Sequence, residues 1–176
     1  MKHDVRAKGL LMSQRFTFLF LFLVVATGVG FGTERTPEGR AVDATLTAFH
    51  AAAAEADGEL YFSLLAEDVI YIGTDASERW TFNDFKAFAE PYFSKGRGWT
   101  YTATERHIAI APDGDVASFD EMLWSESYGT CRGTGVLLLT DGGWRIVQYH
   151  LTFPIPNELS REITARIKEH ATNSPE

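Results

Sequence analysis

From Trp99 onward the sequence adopts a period of two. Residues 99–111, 115–127, 131–140 and 144–153 alternate apolar with polar side chains, separated by Pro112-Asp-Gly-Asp115, Tyr128-Gly129 and Asp141-Gly-Gly143. Strands with one buried face show this alternation, and short Gly/Asp turns join such strands as antiparallel hairpins. The earlier residues are mostly helical in pattern. In 41–57, Val42, Leu46, Phe49 and Ala53 recur at i, i+4, i+7 and i+11, and Gly58 ends the run. A short helix over about 59–66 is expected to bury Leu60 and Leu64, and VIYIG (69–73) reads as a strand. Thr81 with Asp84 has the spacing of a capping box, followed by the stripe Phe82, Phe85, Ala89 and Tyr92, with Pro91 and Gly96 bounding its end. Pro154 and Pro156 stop the last strand, and a helix over about 157–170 sets Leu159, Ile163 and Ile167 on one side. Helices first and hairpins afterwards make an α+β fold. The expected architecture is three N-terminal helices packed on a strongly curved antiparallel sheet forming a cone-shaped barrel, with an added C-terminal helix.

Ahead of this domain lies a different kind of sequence. Residues 16–32, FTFLFLFLVVATGVGFG, carry no charge, follow Arg15 with Lys2, Arg6 and Lys8 upstream, and end in small residues. That is the composition of a secretory signal. Its strongly apolar part, Phe16–Ala26, is shorter than the roughly 20 residues a membrane span needs. Residues 1–32 are therefore expected to be a signal peptide, or an N-terminal anchor if uncleaved, and the protein is expected to be exported to the periplasm or secreted. Met12 is the expected translation start. Residues 33–40, with Pro37 and Gly39, read as a linker, 41–157 as the domain, and 158–176 as the C-terminal helix and tail.

Charge and cysteine usage narrow the function classes. Of 16 basic residues, four lie in 1–32 against one acidic residue there, leaving 12 basic and 23 acidic residues, net −11, on the remainder. Phosphate neutralisation needs clustered Lys and Arg, so no nucleic-acid partner is expected. Cys131 is the only cysteine, which excludes an internal disulfide. The five histidines show no ligand spacing, so no metal is expected, and no glycine-rich phosphate loop precedes a helix, so no cofactor is expected.

A set of short segments, in their order and spacing, resembles the SnoaL-like branch of the nuclear-transport-factor-2-like superfamily. They are Ala56-Asp57, Leu64–Val69, Gly73-Thr-Asp75 with Trp80, Phe119-Asp-Glu121, Tyr128-Gly129, Cys131–Gly135, Gly143–His150 and Phe153–Asn157. The resemblance covers about 41–157. It implies a conical α+β barrel, a pocket for small and often apolar ligands, and dimerisation through the sheet. Members include isomerases, cyclases and hydratases as well as non-enzymatic modules, so fold membership leaves function open. Aligned without gaps to the steroid-isomerase branch, this chain has Phe49 in place of the tyrosine, Gly73 in place of the base and Val136 in place of the second acid. Asp75 could replace the base only if its loop bends inward.

The candidate catalytic residues are Asp120, Glu121 and His150. Adjacent strand residues point to opposite faces, so only one of Asp120 and Glu121 can enter a pocket, with Arg106 or Arg132 as its partner. His150 offers an imidazole that works near neutral pH. Tyr71, Trp80, Trp124, Tyr128, Arg132 and Gln148 are the candidate ligand-binding residues: aromatics with polar tips, and an arginine able to grip a carboxylate. Hairpin register decides what faces His150 and Gln148. A two-residue turn opposes them to Gly133 and Gly135, leaving room; a three-residue loop opposes them to Thr134 and Val136, closing it. The expected function is binding of a small, largely apolar molecule in the cone, in a homodimer. The alternatives are acid–base catalysis by a carboxylate with His150, and a dimerisation module without ligand.

Overall fold

A computed structural model describes residues 36–173; the apolar segment 16–32 and the signal or anchor expected there lie outside the described residues. Helix α1 (Pro37–Glu55) begins four residues before Ala41. Thr36 Oγ1 accepts from the Gly39 N–H at 3.0 Å, and Pro37 sits in the first turn. A proline there lacks only an N–H that would be unpaired anyway, so the residues read as a linker breaker open the helix. α1 buries the expected Val42, Leu46, Phe49 and Ala53, together with His50.

Helix α2 (Gly58–Ser63) is capped by Asp57, which accepts from the Leu60 N–H at 3.0 Å. It buries Tyr61 and Phe62, while Leu60 stays exposed. Six residues are too few to reveal which face is apolar, and the cap sets the rotation. Strands β1 (Leu65–Ile72) and β2 (Arg79–Thr81) form an antiparallel pair with Trp80 opposite Tyr71. Helix α3 (Phe82–Phe93) starts at the expected Thr81 cap, where Thr81 and Asp84 share a 2.7 Å hydrogen bond. It runs through Pro91 to bury Phe93, leaving Tyr92 exposed.

Strands β3 (Thr102–Ile110), β4 (Val116–Ser125), β5 (Gly129–Thr140) and β6 (Gly143–Thr152) follow as hairpins. The sheet order is β2-β1-β6-β5-β4-β3, antiparallel throughout except where β6 lies parallel to β1. It curves over the helices and stays open between its edge strands β2 and β3. α1 packs on β3 and β6, and α3 on β1 and β2, closing one core around Leu46, Phe85, Ile146 and Tyr149.

The C-terminal helix α4 (Ser160–Asn173) is present but buries no residue; Leu159 and Ile167 remain 46% and 58% exposed. Substitutions at surface positions without buried contacts usually change stability by about 0.5 kcal/mol or less, and a helix made only of such positions contributes little to the fold. Truncation after Pro156 is therefore expected to leave the urea midpoint nearly unchanged, and a clear drop would show that α4 packs in solution. Among the described residues no helix is long and apolar enough to cross a membrane.

Candidate functional site

A bulge in β6 decides what enters the cone. The β5–β6 turn is the two-residue Asp141-Gly142, with Thr140 opposite Gly143 and Leu139 opposite Trp144. Register then shifts by one residue, so that Leu137 faces Ile146 but Val136 faces Gln148. An extra residue on one strand reverses the facing of everything beyond it. Trp144 and Ile146 are buried before the shift, and Tyr149 and Leu151 after it. Gln148 and His150 consequently turn to the outer face, opposite Val136 and Thr134. The glycines pair with the inward residues: Gly135 with Tyr149 and Gly133 with Leu151. A Cβ on Gly133 would meet the Tyr149 hydroxyl at 2.5 Å and Glu121 Oε1 at 2.8 Å. The room these glycines make holds side chains of the protein. The neighbouring apolar pair Ile146-Val147, which interrupts the alternation, is the sequence signal for this bulge.

Glu121 is the carboxylate that points inward; it is fully buried, whereas Asp120 is exposed. Its Oε1 lies 2.7 Å from His50 Nε2 and accepts from the Tyr149 hydroxyl at 3.2 Å. Its Oε2 accepts from Arg106 Nε and is 2.8 Å from Arg106 Nη2. Arg106 Nη1 donates to the carboxylate of Asp43 and to Thr47 Oγ1 on α1. Burial works to raise the Glu121 carboxyl, but the hydrogen bond and charge of His50, with Arg106, outweigh it and hold the group below its ordinary value. Burial likewise opposes the charge on Arg106, yet Glu121 and Asp43 keep its guanidinium protonated. Burial and the Glu121 charge push the Tyr149 hydroxyl well up. Both oxygens of this carboxylate are engaged, each by two partners, so its arrangement is that of a structural clamp between α1, β3, β4 and β6.

At the end of the cone where β1, β6 and the segment leading into β3 meet is a cavity of about 210 Å³. Tyr71 stacks on Phe85 with ring centroids 3.8 Å apart, and Trp80 stacks on Phe88 at 5.0 Å. Trp99, Tyr101, Tyr128 and Phe153 complete the lining, with Glu78 at the polar side. The volume matches about seven waters. A larger concavity of about 610 Å³ opens between α2 and α3, but none of its lining residues comes from the sheet. The aromatic space is the better candidate site, because convergent aromatic walls with few polar tips suit a small ligand.

The profile of the SnoaL-like domain family matches residues 42–156, most of the chain. The chain belongs to the SnoaL-like domain family. Among curated proteins no relative matches it. Solved structures share the fold of this SnoaL-like domain. A cystatin-like fold protein from Burkholderia xenovorans is 17% identical with a TM-score of 0.59, the match covering 72% of this chain and 100% of that one. An NTF2-like protein of unknown function from Pseudomonas putida is 16% identical with a TM-score of 0.56, covering 66% and 87%. A protein of the NTF2-like family from Streptomyces avermitilis, provisionally named a dehydratase, is 18% identical with a TM-score of 0.56, covering 66% and 96%.

The SnoaL-like domain brings three of the expected ligand residues to the cavity, Tyr71, Trp80 and Tyr128, and leaves the others out. Trp124 is 54% exposed on the outer face, and Arg132 and Gln148 are also exposed outward. The expected pairing of Glu121 with His150 does not form, because the bulge sets His150 on the opposite face, and His50 takes that place; Asp120 shares the outer face with His150 but is separated from it by Thr134 on β5. His50 was legible only as a polar residue on the buried stripe of α1, four after Leu46. Phe49 is packed in a stack on Tyr61, and Val136 lies in the outward register of β5. A Cβ on Gly73 would meet Glu78 Oε2 at 2.2 Å, so Glu78 fills that position. Asp75 is bound by its own turn: the hydroxyl and N–H of Ser77 donate to it and lower its carboxyl. Burial raises the Cys131 thiol. Among the described residues no group of three His, Cys, Asp or Glu is placed to hold a metal ion.

Proposed function

We propose that this SnoaL-like domain binds a small, largely apolar molecule in the aromatic end of its cone. The observation that carries the reading is the cavity itself, walled by stacked rings and open to solvent beside Tyr128. Trp80, only partly buried, is a wall of this cavity and stacks on Phe85 and Phe88. The test is a thermal-shift screen of hydrophobic ketones, lactones and acids. A ligand at a hundred times its Kd stabilises by about 2.7 kcal/mol, which is a readable rise in Tm. Trp80→Ala is expected to reduce the rise at equal ligand concentration, and absence of any rise across the panel would sink the reading.

The domain acts outside the cytoplasm in this proposal, on the strength of the apolar run 16–32 behind Arg15. Homodimerisation through the outer sheet face is proposed with it, supported by exposed Trp124 and Leu138. Dehydration chemistry, suggested by the name of the Streptomyces avermitilis neighbour, has less support. Glu121 is fully engaged in its clamp, and Glu78, the carboxylate lining the cavity, accepts from the Asp75 N–H at 3.1 Å.

A further inference from the structure

The Tyr61 hydroxyl is the only buried side-chain polar atom without a hydrogen-bond partner among the described residues. A buried hydroxyl left unpaired loses its hydration and gains nothing in exchange. Tyr61 is fixed by its ring, stacked on Phe49 at 4.4 Å and edge-on to Phe93 at 5.3 Å. These contacts hold the ring in the core, so its oxygen can reach only the polar groups beside it.

The polar groups that bear on this hydroxyl are the Tyr71 hydroxyl and the Trp99 indole N–H. Neither closes to a hydrogen bond. Tyr71 and Trp99 both line the aromatic cavity, and Tyr61 lies one layer behind them. If Tyr71 accepts from Tyr61, its own proton serves whatever occupies the cavity. Burial holds Tyr61 and Tyr71 well above the ordinary phenol value and pushes Tyr101, a further lining hydroxyl, up to about 12. All three remain O–H donors across the physiological range. No Lys or Arg lines the cavity, and the charged group that does is the carboxylate of Glu78.

Resting on the reading of this cavity as a ligand site, we propose that it takes a neutral, ring-bearing molecule with a hydrogen-bond-accepting oxygen. The Tyr71 hydroxyl donates to that oxygen and is backed by the Tyr61 hydroxyl, which closes onto Tyr71. Filling the site completes a short chain of donors, each bond polarising the next. A ligand carboxylate finds no cation there and faces Glu78, so anions are disfavoured.

Three probes of one size separate the parts of this proposal: acetophenone, ethylbenzene and benzoate, titrated into the full chain and followed by protein NMR. Acetophenone is expected to bind about tenfold more tightly than ethylbenzene, the size of one well-made hydrogen bond, and benzoate least well. In Tyr71→Phe the advantage of the ketone disappears while ethylbenzene affinity is unchanged. Tyr61→Phe, whose lost hydroxyl had no partner, keeps a Tm at or above that of the wild type and lowers the ketone advantage by about threefold. Equal affinity for ketone and hydrocarbon overturns the inference and leaves the cavity reading standing. So does tightest binding of benzoate, or unchanged ketone affinity in both phenylalanine variants, as expected if water serves the hydroxyls. Failure of all three probes to bind overturns the cavity reading and the inference together.

Discussion

Glu121→Ala is expected to lower unfolding free energy by about 3–5 kcal/mol, because removing one member of a buried ion pair leaves the other charged and unpaired. Here Arg106, whose side chain is 8% exposed, keeps only the half-exposed Asp43 as counter-charge, and the Tyr149 hydroxyl and the His50 ring, which both address Oε1, lose their partner. A domain of this size holds roughly 5–15 kcal/mol in total, so the variant is expected to be partly unfolded at 37 °C. Asp43→Ala removes the outer, half-exposed partner of the same arginine and is expected to cost no more than about 1 kcal/mol. The double change Glu121→Leu with Arg106→Met is expected to recover most of the loss, since apolar replacement of a whole buried pair is often neutral. Urea unfolding of the four proteins measures this. Equal stability of wild type and Glu121→Ala would show that the clamp contributes nothing.

The same clamp gives the protein an acid limb. The folded Glu121 carboxyl lies below its ordinary value of 4.5. Protons therefore bind the unfolded chain more readily than the folded one. The stabilisation is complete above about pH 4.5 and is lost as pH falls through the lower folded value. Comparing urea midpoints between pH 7 and pH 3 for wild type and Glu121→Gln is expected to show a shallower acid slope in the variant.

Gly135→Ala is the second large effect. A Cβ there would lie 2.1 Å from the carbonyl oxygen of Gln148 and 2.8 Å from a Phe119 ring carbon. The first contact is with backbone on the paired strand, directly at the bulge, so no side-chain rotation relieves it. Overpacking of this kind costs about 1–3 kcal/mol, and more where the backbone must move. Relief is expected to come through loss of the bulge, which would return Gln148 and His150 to the inner face. The measurable signs are a lowered Tm and new amide chemical shifts along 146–150. A variant as stable as the wild type would mean that β5 and β6 tolerate a wider spacing.

Much of the fold is legible in the chain because it is local. The period-two runs after Trp99, the α1 stripe of Val42, Leu46, Phe49 and Ala53, and the Thr81–Asp84 cap are each set by residues within a few positions of one another. The α+β class and the SnoaL-like resemblance follow from their order. Three of the cavity aromatics, Tyr71, Trp80 and Tyr128, were legible as aromatics with polar tips.

Tertiary structure decided the rest, because the deciding contacts join distant residues. Which of Asp120 and Glu121 points inward depends on the partners waiting there. Those partners come from α1, β3 and β6, His50 lying 71 residues away in sequence. The facing of His150 depends on a single extra residue in β6, which exists only through its pairing with β5. A strand alternates with a period of two, so one unpaired residue at Val147 reverses every side chain after it. Composition and periodicity determined that the chain forms a cone with an aromatic interior. Register and packing determined that its buried carboxylate clamps the fold and that its unpaired hydroxyl, Tyr61, stands behind the cavity.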